Sequence, residues 1–315
     1  MDIIQVITKE LNVEKWQVEA AVKLIDEGCT IPFISRYRKE ATGSLNDEQL
    51  RTLHERLTYL RNLEEKKNQV LGSIEEQGKL TAELKKQILD AQTLVVVEDL
   101  YRPFRPKRRT RAIIAKEKGL EPLANIIMLQ MTDKPMEEEA QDFVSEEKGV
   151  ETVADAINGA KDIIAEHISD EADYRIYLRK LTMDRGSVAS TAKKPEESSV
   201  YEMYYEFEEP IKKLAGHRVL ALNRGEKEKI LTVKVNAPEE EAMGWLQKQV
   251  ITKENPITKP ILREVVEDSY KRLIAPAIER EIRSDLTEKA EDGAIHVFGK
   301  NLEQLLMQPP IVGKV

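Results

Sequence analysis

Apolar positions along this chain recur mostly at three- and four-residue steps, the spacing that lines one face of an α-helix. Residues 3–27 read as two short helices, broken at Asn12 and ended by Gly28. "TIPFISRYRKEATGSL" then opens as a Pro-started apolar turn, carries Arg36, Arg38 and Lys39, and closes on Gly43. Asn46 and Gln49 have the spacing of a capping box. They begin a long helix in which Leu50, Leu53, Leu57, Leu60, Leu63, Val70, Leu71 and Ile74 share a face, up to about Gly78. Residues 81–101 continue helically and end in "LVVVEDLYRP", a β-branched run less typical of helix. In the loop that follows, Pro103 and Pro106 forbid regular structure. Several short amphipathic helices are predicted over 110–168, and another, rich in Lys and Arg, over 170–191.

Beyond "KKPEESS" at 193–199, which reads as a hinge or loop, the texture changes. "YEMYYEFEEP" is aromatic and acidic. "HRVLALNRGEKEKILTVKVNAP" reads as a helix, a turn at Gly225 and an alternating strand at 230–236. Asn255 and Pro256 resemble an N-cap followed by proline in the first helical position. From there apolar residues at 261, 262, 265, 266, 270, 273, 274, 277, 278, 282 and 286 keep helical spacing, with a kink expected at Pro276. The pattern resumes at Leu302, Leu305 and Leu306. The final "PPIVGKV" starts an apolar, β-like run. The expected fold is a mainly α, multi-helix assembly with a long central helix and at most a small β element near 230–236. Its expected regions are a helical domain over 1–192, a linker with helix and strand over 193–255, and the long helix over 256–315.

Composition narrows the class. Of 315 residues, 34% are charged and only 5% aromatic, which suits solvated helices and disfavours a sheet-rich domain. No apolar run approaches the ~20 residues that span a bilayer. "MDIIQVITKE" lacks the basic and apolar regions of a signal peptide. The lone cysteine, Cys29, allows no internal disulfide, so the expected setting is the reducing cytoplasm.

The formal net charge is -8, yet the charge is segregated. Residues 102–118 hold eight Lys/Arg against one Glu, while 133–151 hold eight Asp/Glu against two Lys. Residues 196–209 hold six Glu and no basic residue. A basic surface is therefore compatible with an acidic sum.

Candidate chemistry is sparse. His54, His167, His217 and His296 lie far apart in sequence and in no ligand motif, and Thr58 stands where a zinc-protease helix needs its second His. "GAIHVFGK" at 293–300 partly resembles a phosphate-cradling loop but is one residue too long, and Asn301 replaces the Ser/Thr. It is read as a break in the long helix. Cys29 has no adjacent base, and Glu98 and Asp99 read as partners for the arginines that follow. No catalytic constellation and no cofactor or metal site is expected.

The basic loop has two readings of equal weight on composition. Arg102, Arg105, Lys107, Arg108, Arg109 and Arg111 could face phosphate, with Tyr101 and Phe104 stacking on bases. Alternatively, they neutralise acidic helices of their own chain. Arg36, Arg38 and Lys39 form a second basic candidate. Arg218, Arg224, Lys227 and Lys229 form a third, for which exposed helix charge is the favoured reading.

"IPFISRYRKEATGSL", "VEDLYRPFRPKRRTRAIIAKEKGLEPLA" and "HRVLALNRGEKEKIL", in that order, resemble the bacterial Tex family of transcription accessory proteins. The resemblance covers the whole chain, and "FGKNLEQLLMQPPIVGKV" is similar to the family segment before an RNase-H-like domain. It implies an N-terminal portion of a longer protein. An RNase-H-like domain, helix-hairpin-helix elements and a C-terminal OB-fold RNA-binding module would follow. The family also resembles the core of a eukaryotic elongation factor that chaperones histones. It implies helix-turn-helix character, a long central helix and no catalytic residue in this part. The matching basic positions are Arg36, Arg38 and Lys39, then Arg102, Arg105, Lys107, Arg108, Arg109 and Arg111, then Arg218 and Arg224.

The expected function is a non-enzymatic helical scaffold of a nucleic-acid-associated transcription accessory protein, whose basic loops contribute to binding. RNA is expected over DNA, mainly through the domains that follow, with RNA polymerase or other transcription machinery as protein partner and no membrane. The alternative is a protein-interaction scaffold whose basic loop makes internal salt bridges.

Overall fold

The computed structural model describes residues 2–308. The chain divides into two compact units at Arg105–Pro106, inside the basic loop.

In the first unit, α1 (Ile3–Leu11) ends at Asn12 in the left-handed region, φ 51°. Helix α2 (Lys15–Asp26) leads through Gly28, φ +84°, to the short α3 (Ile31–Tyr37). The predicted long helix is α4 (Asp47–Glu76). Its capping box is present: the Asn46 side chain accepts from the Gln49 N–H at 2.8 Å, and the Gln49 side chain accepts from the Asn46 N–H at 3.0 Å. Leu50, Leu53, Leu57, Leu60, Leu63, Val70 and Ile74 of α4 are buried, and α4 touches every other helix of the unit. Those include α5 (Ala82–Asp90) and α6 (Leu94–Tyr101). The same buried stripe contains Lys67, 1% exposed, whose Nζ donates to Glu64 at 3.0 Å and to the Leu89 carbonyl at 2.8 Å. Burying a cation is tolerable only with partners of this kind.

The second unit begins with α7 (Arg111–Glu117), α8 (Glu121–Leu129) and α9 (Met136–Gln141). These pack around α10 (Val153–Asp170), whose inner face is apolar: Ala156, Ala160, Ile163, Ile164 and Ile168. Helix α11 (Ala172–Arg185) ends earlier than its basic pattern suggests, because 187–192 is a strand, β1 (Ser187–Ala192). It is the centre of an antiparallel sheet, ordered β2-β1-β3, with β2 (Glu206–Pro210) and β3 (Leu231–Asn236). Ser190 pairs with Phe207 on one side and Val233 on the other. The β element expected at 230–236 is therefore one strand of three. Because the sheet joins 187–192 to 206–210 and 231–236, the chain does not part near 192.

Between β2 and β3 runs α12 (Gly216–Lys227), which includes Gly225. The expected turn at Gly225 is instead helix; the chain reverses at Lys229, φ 63°. A Cβ on Gly225 would lie 2.6 Å from Cδ1 of the buried Leu231, so this glycine serves packing rather than turning. Helix α13 (Glu239–Val250) places Trp245 against Tyr177, ring centroids 3.9 Å apart and nearly parallel.

The long spine is continuous in path. It comprises α14 (Thr258–Asp268), a π-helical turn (Ser269–Ile274) and α15 (Ala275–Leu306). Asn255 caps it, its Oδ1 accepting from the Ile257 and Thr258 N–H groups at 2.8 and 3.1 Å. The irregularity expected at Pro276 takes the form of the π turn just before it, where the Ala275 N–H reaches back to the Tyr270 carbonyl. Proline lacks the N–H that an α ladder would use here, and a wider turn accommodates that gap. No break occurs at 293–300. Gly293 and Gly299 stay helical in open space, where a glycine costs a helix only about 1 kcal/mol. Burial along α15 ends at Ala290; Leu302, Leu305 and Leu306 are exposed. The apolar run at 309–315 lies outside the described residues.

Candidate nucleic-acid interface

The three basic candidates differ in what their charges meet. In the first unit, Arg102 starts a 3-10 turn (Arg102–Phe104), so one helical turn survives despite Pro103. Tyr101 and Phe104 pack against the apolar core, and the Tyr101 hydroxyl lies 2.9 Å from Ser73 Oγ. They are anchors of the chain, not free stacking surfaces. Arg105 lies 3.9 Å from Glu98, a long and exposed pairing.

In the second unit, Lys107 is sunk between Glu166, at 3.4 Å, and Asp170, both on α10. Arg109 pairs with Glu117 at 3.0 Å. Arg108 pairs with no carboxylate among the described residues and is exposed. Arg111 opens α7, where the helix dipole disfavours a cation. Asp162 answers it: burial raises that carboxyl's pKa, and the charges of Arg272 and Arg111 pull it back. Arg218 donates to Glu209 at 2.6 Å and lies over the Phe207 ring, 6.0 Å from its centroid. Arg224 donates to Glu228 at 3.0 Å and holds that carboxyl below its usual range. Lys107, Arg109, Arg218 and Arg224 thus spend their charge on their own chain.

The last turn of α3 and the residues just after it are the contrast. Arg36, Arg38 and Lys39 are all exposed, and none pairs with a carboxylate among the described residues. The backbone beneath them is fixed. The Gln17 side chain donates to the Thr42 and Gly43 carbonyls at 3.3 and 3.0 Å, and the Ser44 N–H donates to the Lys39 carbonyl at 2.7 Å. Gly43, φ +61°, admits no side chain, since a Cβ there would lie 2.5 Å from the Trp16 ring.

Two residues beside this segment are not apparent from sequence alone. Phe33 and Tyr37 are 38% and 69% exposed, with ring centroids 5.4 Å apart. The Arg38 guanidinium carbon is 5.5 Å from the Phe33 centroid. Their signal in the sequence is an aromatic pair at i and i+4 interleaved with Arg36 and Arg38, which the apolar look of "IPFI" conceals.

Among the described residues, no three His, Cys, Asp or Glu side chains are grouped to hold a metal ion. Nor is any helix among them long and apolar enough to cross a membrane.

Fold and surface together define an α-rich protein with a small sheet, in which Arg36, Arg38 and Lys39 pair with no carboxylate among the described residues. Comparison with known proteins gives the family. Residues 1–75 match the Tex-like protein N-terminal domain, and residues 130–298 match the Tex central region-like family. The chain belongs to the Tex family. It is 50% identical over 313 residues to YdcI of Bacillus subtilis, covering 98% of this chain and 44% of the relative. It is 37% identical over 317 residues to the transcriptional accessory protein Tex of Neisseria gonorrhoeae, covering 98% and 42%. With the human S1 RNA-binding domain-containing protein 1, identity is 32% over 329 residues, 99% of this chain and 33% of the relative. The chain therefore spans less than half the length of these relatives.

Proposed function

We propose that this chain is a non-enzymatic, cytoplasmic scaffold of a transcription accessory protein, and that it contributes basic surface to nucleic-acid binding. The observation that carries this reading is the uncompensated set Arg36, Arg38 and Lys39, exposed on a backbone fixed from beneath. Arginine forks onto phosphate, and a cation with no internal carboxylate gives up no ion pair by doing so. Two names support it: the Neisseria relative is a transcriptional accessory protein, and the human one contains an S1 RNA-binding domain. The helix-turn-helix character expected of the family fits α2 and α3, joined through 27–30 with Gly28 in the turn. RNA is the favoured nucleic acid, and RNA polymerase a fitting protein partner.

A second reading has its own observation. Lys107 between Glu166 and Asp170 is the internal salt bridge that a protein-interaction scaffold would use. Binding of the full chain to labelled RNA, read by fluorescence anisotropy across a salt series, separates the two. Salt-sensitive binding is expected. Alanine at Arg36, Arg38 and Lys39 together should flatten log Kd against log salt by about 0.7 for each phosphate left without its cation. Absence of binding even at low salt would overturn the first reading in favour of the second.

A further inference from the structure

Helix α3 has a buried side and, next to it, an exposed one. Ile34 is fully buried in the core of the first unit. Phe33 and Tyr37 lie on the exposed side, their rings in contact, and Arg38 lies over the Phe33 ring. Burial of a phenylalanine side chain is worth roughly 1.5–3 kcal/mol, so two neighbouring exposed rings are available for a partner. The partner's chemistry is set by the charges around them: Arg36, Arg38 and Lys39 have no carboxylate among the described residues to neutralise them. An apolar protein surface would have to desolvate these cations, whereas a polyanion with flat faces would use both features. Unpaired nucleobases stack on aromatic rings and guanidinium planes while their phosphates meet basic side chains, and bases inside a duplex have no free face to offer.

We propose that Phe33, Tyr37 and Arg38 form a stacking platform for the unpaired bases of a single-stranded nucleic acid, with Arg36 and Lys39 against its phosphates. This rests on the nucleic-acid reading above and adds the form of the ligand. The platform is pre-organised. Gln17 and Trp16 of α2 hold the loop that follows it, so little ordering is needed on binding.

The test compares a short oligouridine with an abasic phosphodiester strand of the same length, both bound to the full chain. Wild type should prefer the strand with bases. Phe33→Ala with Tyr37→Ala should weaken oligouridine binding by about tenfold or more, toward the abasic level. Tyr37→Phe should retain the preference. Because neither ring is part of the buried core, the thermal unfolding midpoint should move by only a few degrees. Equal affinity of wild type for the two strands overturns the platform. So does unchanged oligouridine binding in the ring variant while the Arg36, Arg38 and Lys39 variant loses it; the phosphate contact then stands without stacking. Failure of wild type to bind any strand overturns both readings.

Discussion

Lys107 and Asp170 are joined by an ion pair across 63 positions of sequence, and Glu166 approaches the same ammonium one helical turn away. One of the six side chains that could have faced phosphate is thus a pin that fastens its segment to α10. Removing it takes away the ammonium that two partly buried carboxylates share. Lys107→Ala should destabilise the fold by about 1–3 kcal/mol, seen as a lower midpoint in thermal unfolding, with little effect on the salt slope of RNA binding. Arg108→Ala should leave the midpoint alone. A midpoint unchanged by Lys107→Ala would mean that the ammonium does not fasten the loop and is free to meet phosphate.

Gly225 and Leu231 make a steric prediction. A methyl group on Gly225 would meet Leu231 Cδ1 at 2.6 Å and the Tyr201 ring at 3.2 Å. Gly225→Ala would improve helix propensity by about 1 kcal/mol at an unconstrained site. Here overpacking should outweigh that gain, for a net loss of about 1–2 kcal/mol in denaturant unfolding. Leu231→Val in the same chain should restore part of it, since the two changes act on one contact. A stabilised Gly225→Ala would mean that Leu231 has room to move.

The Glu226–Arg283 pair predicts an acid limb. The hydrogen bond from Arg283 is the largest influence on Glu226 and holds its pKa below the ordinary 4.5. A carboxyl depressed by folding contributes stability above its unfolded pKa and loses it as pH falls through the folded value. The contribution should be fully present at neutral pH and should disappear progressively below 4.5. Glu226→Gln should lower stability at pH 7 and show a shallower decline under acid. Parallel curves for wild type and variant would show that the pair has no part in acid unfolding.

What could be read from the sequence was local. Asn12, Gly28, Asn46 and Gln49 act through neighbours within five positions, so the breaks and caps they predict are found in place. The apolar stripe of α4 needs only its own period to be seen. Partners distant in sequence were hidden. Nothing near Lys107 points to Asp170, and nothing near Gly225 shows that Leu231 will fill its empty side. Strands β1 and β2 were missed for a related reason. "SVASTA" is short and built of small residues, and what makes it a strand is hydrogen bonding to β2 and β3. The exposed rings of Phe33 and Tyr37 were hidden because "IPFI" reads as core, and only the packing of Ile34 decides which way the helix faces.

The spine carries a geometric consequence. Thr258, Leu262, Val266, Tyr270, Ile274, Ile278, Ile282, Leu286 and Ala290 follow one another at intervals of four, and each is buried or half-buried. At 3.6 residues per turn, every such interval overshoots a full revolution by about 40°. A stripe of this kind on an unbroken α-helix winds around the rod like the thread of a screw. The π turn at Ser269–Ile274 takes up part of that overshoot and slows the pitch where the rod passes α10. Neighbours can then bed against the rod from successive sides, α8 and α13 before the turn and α11 and α12 after it.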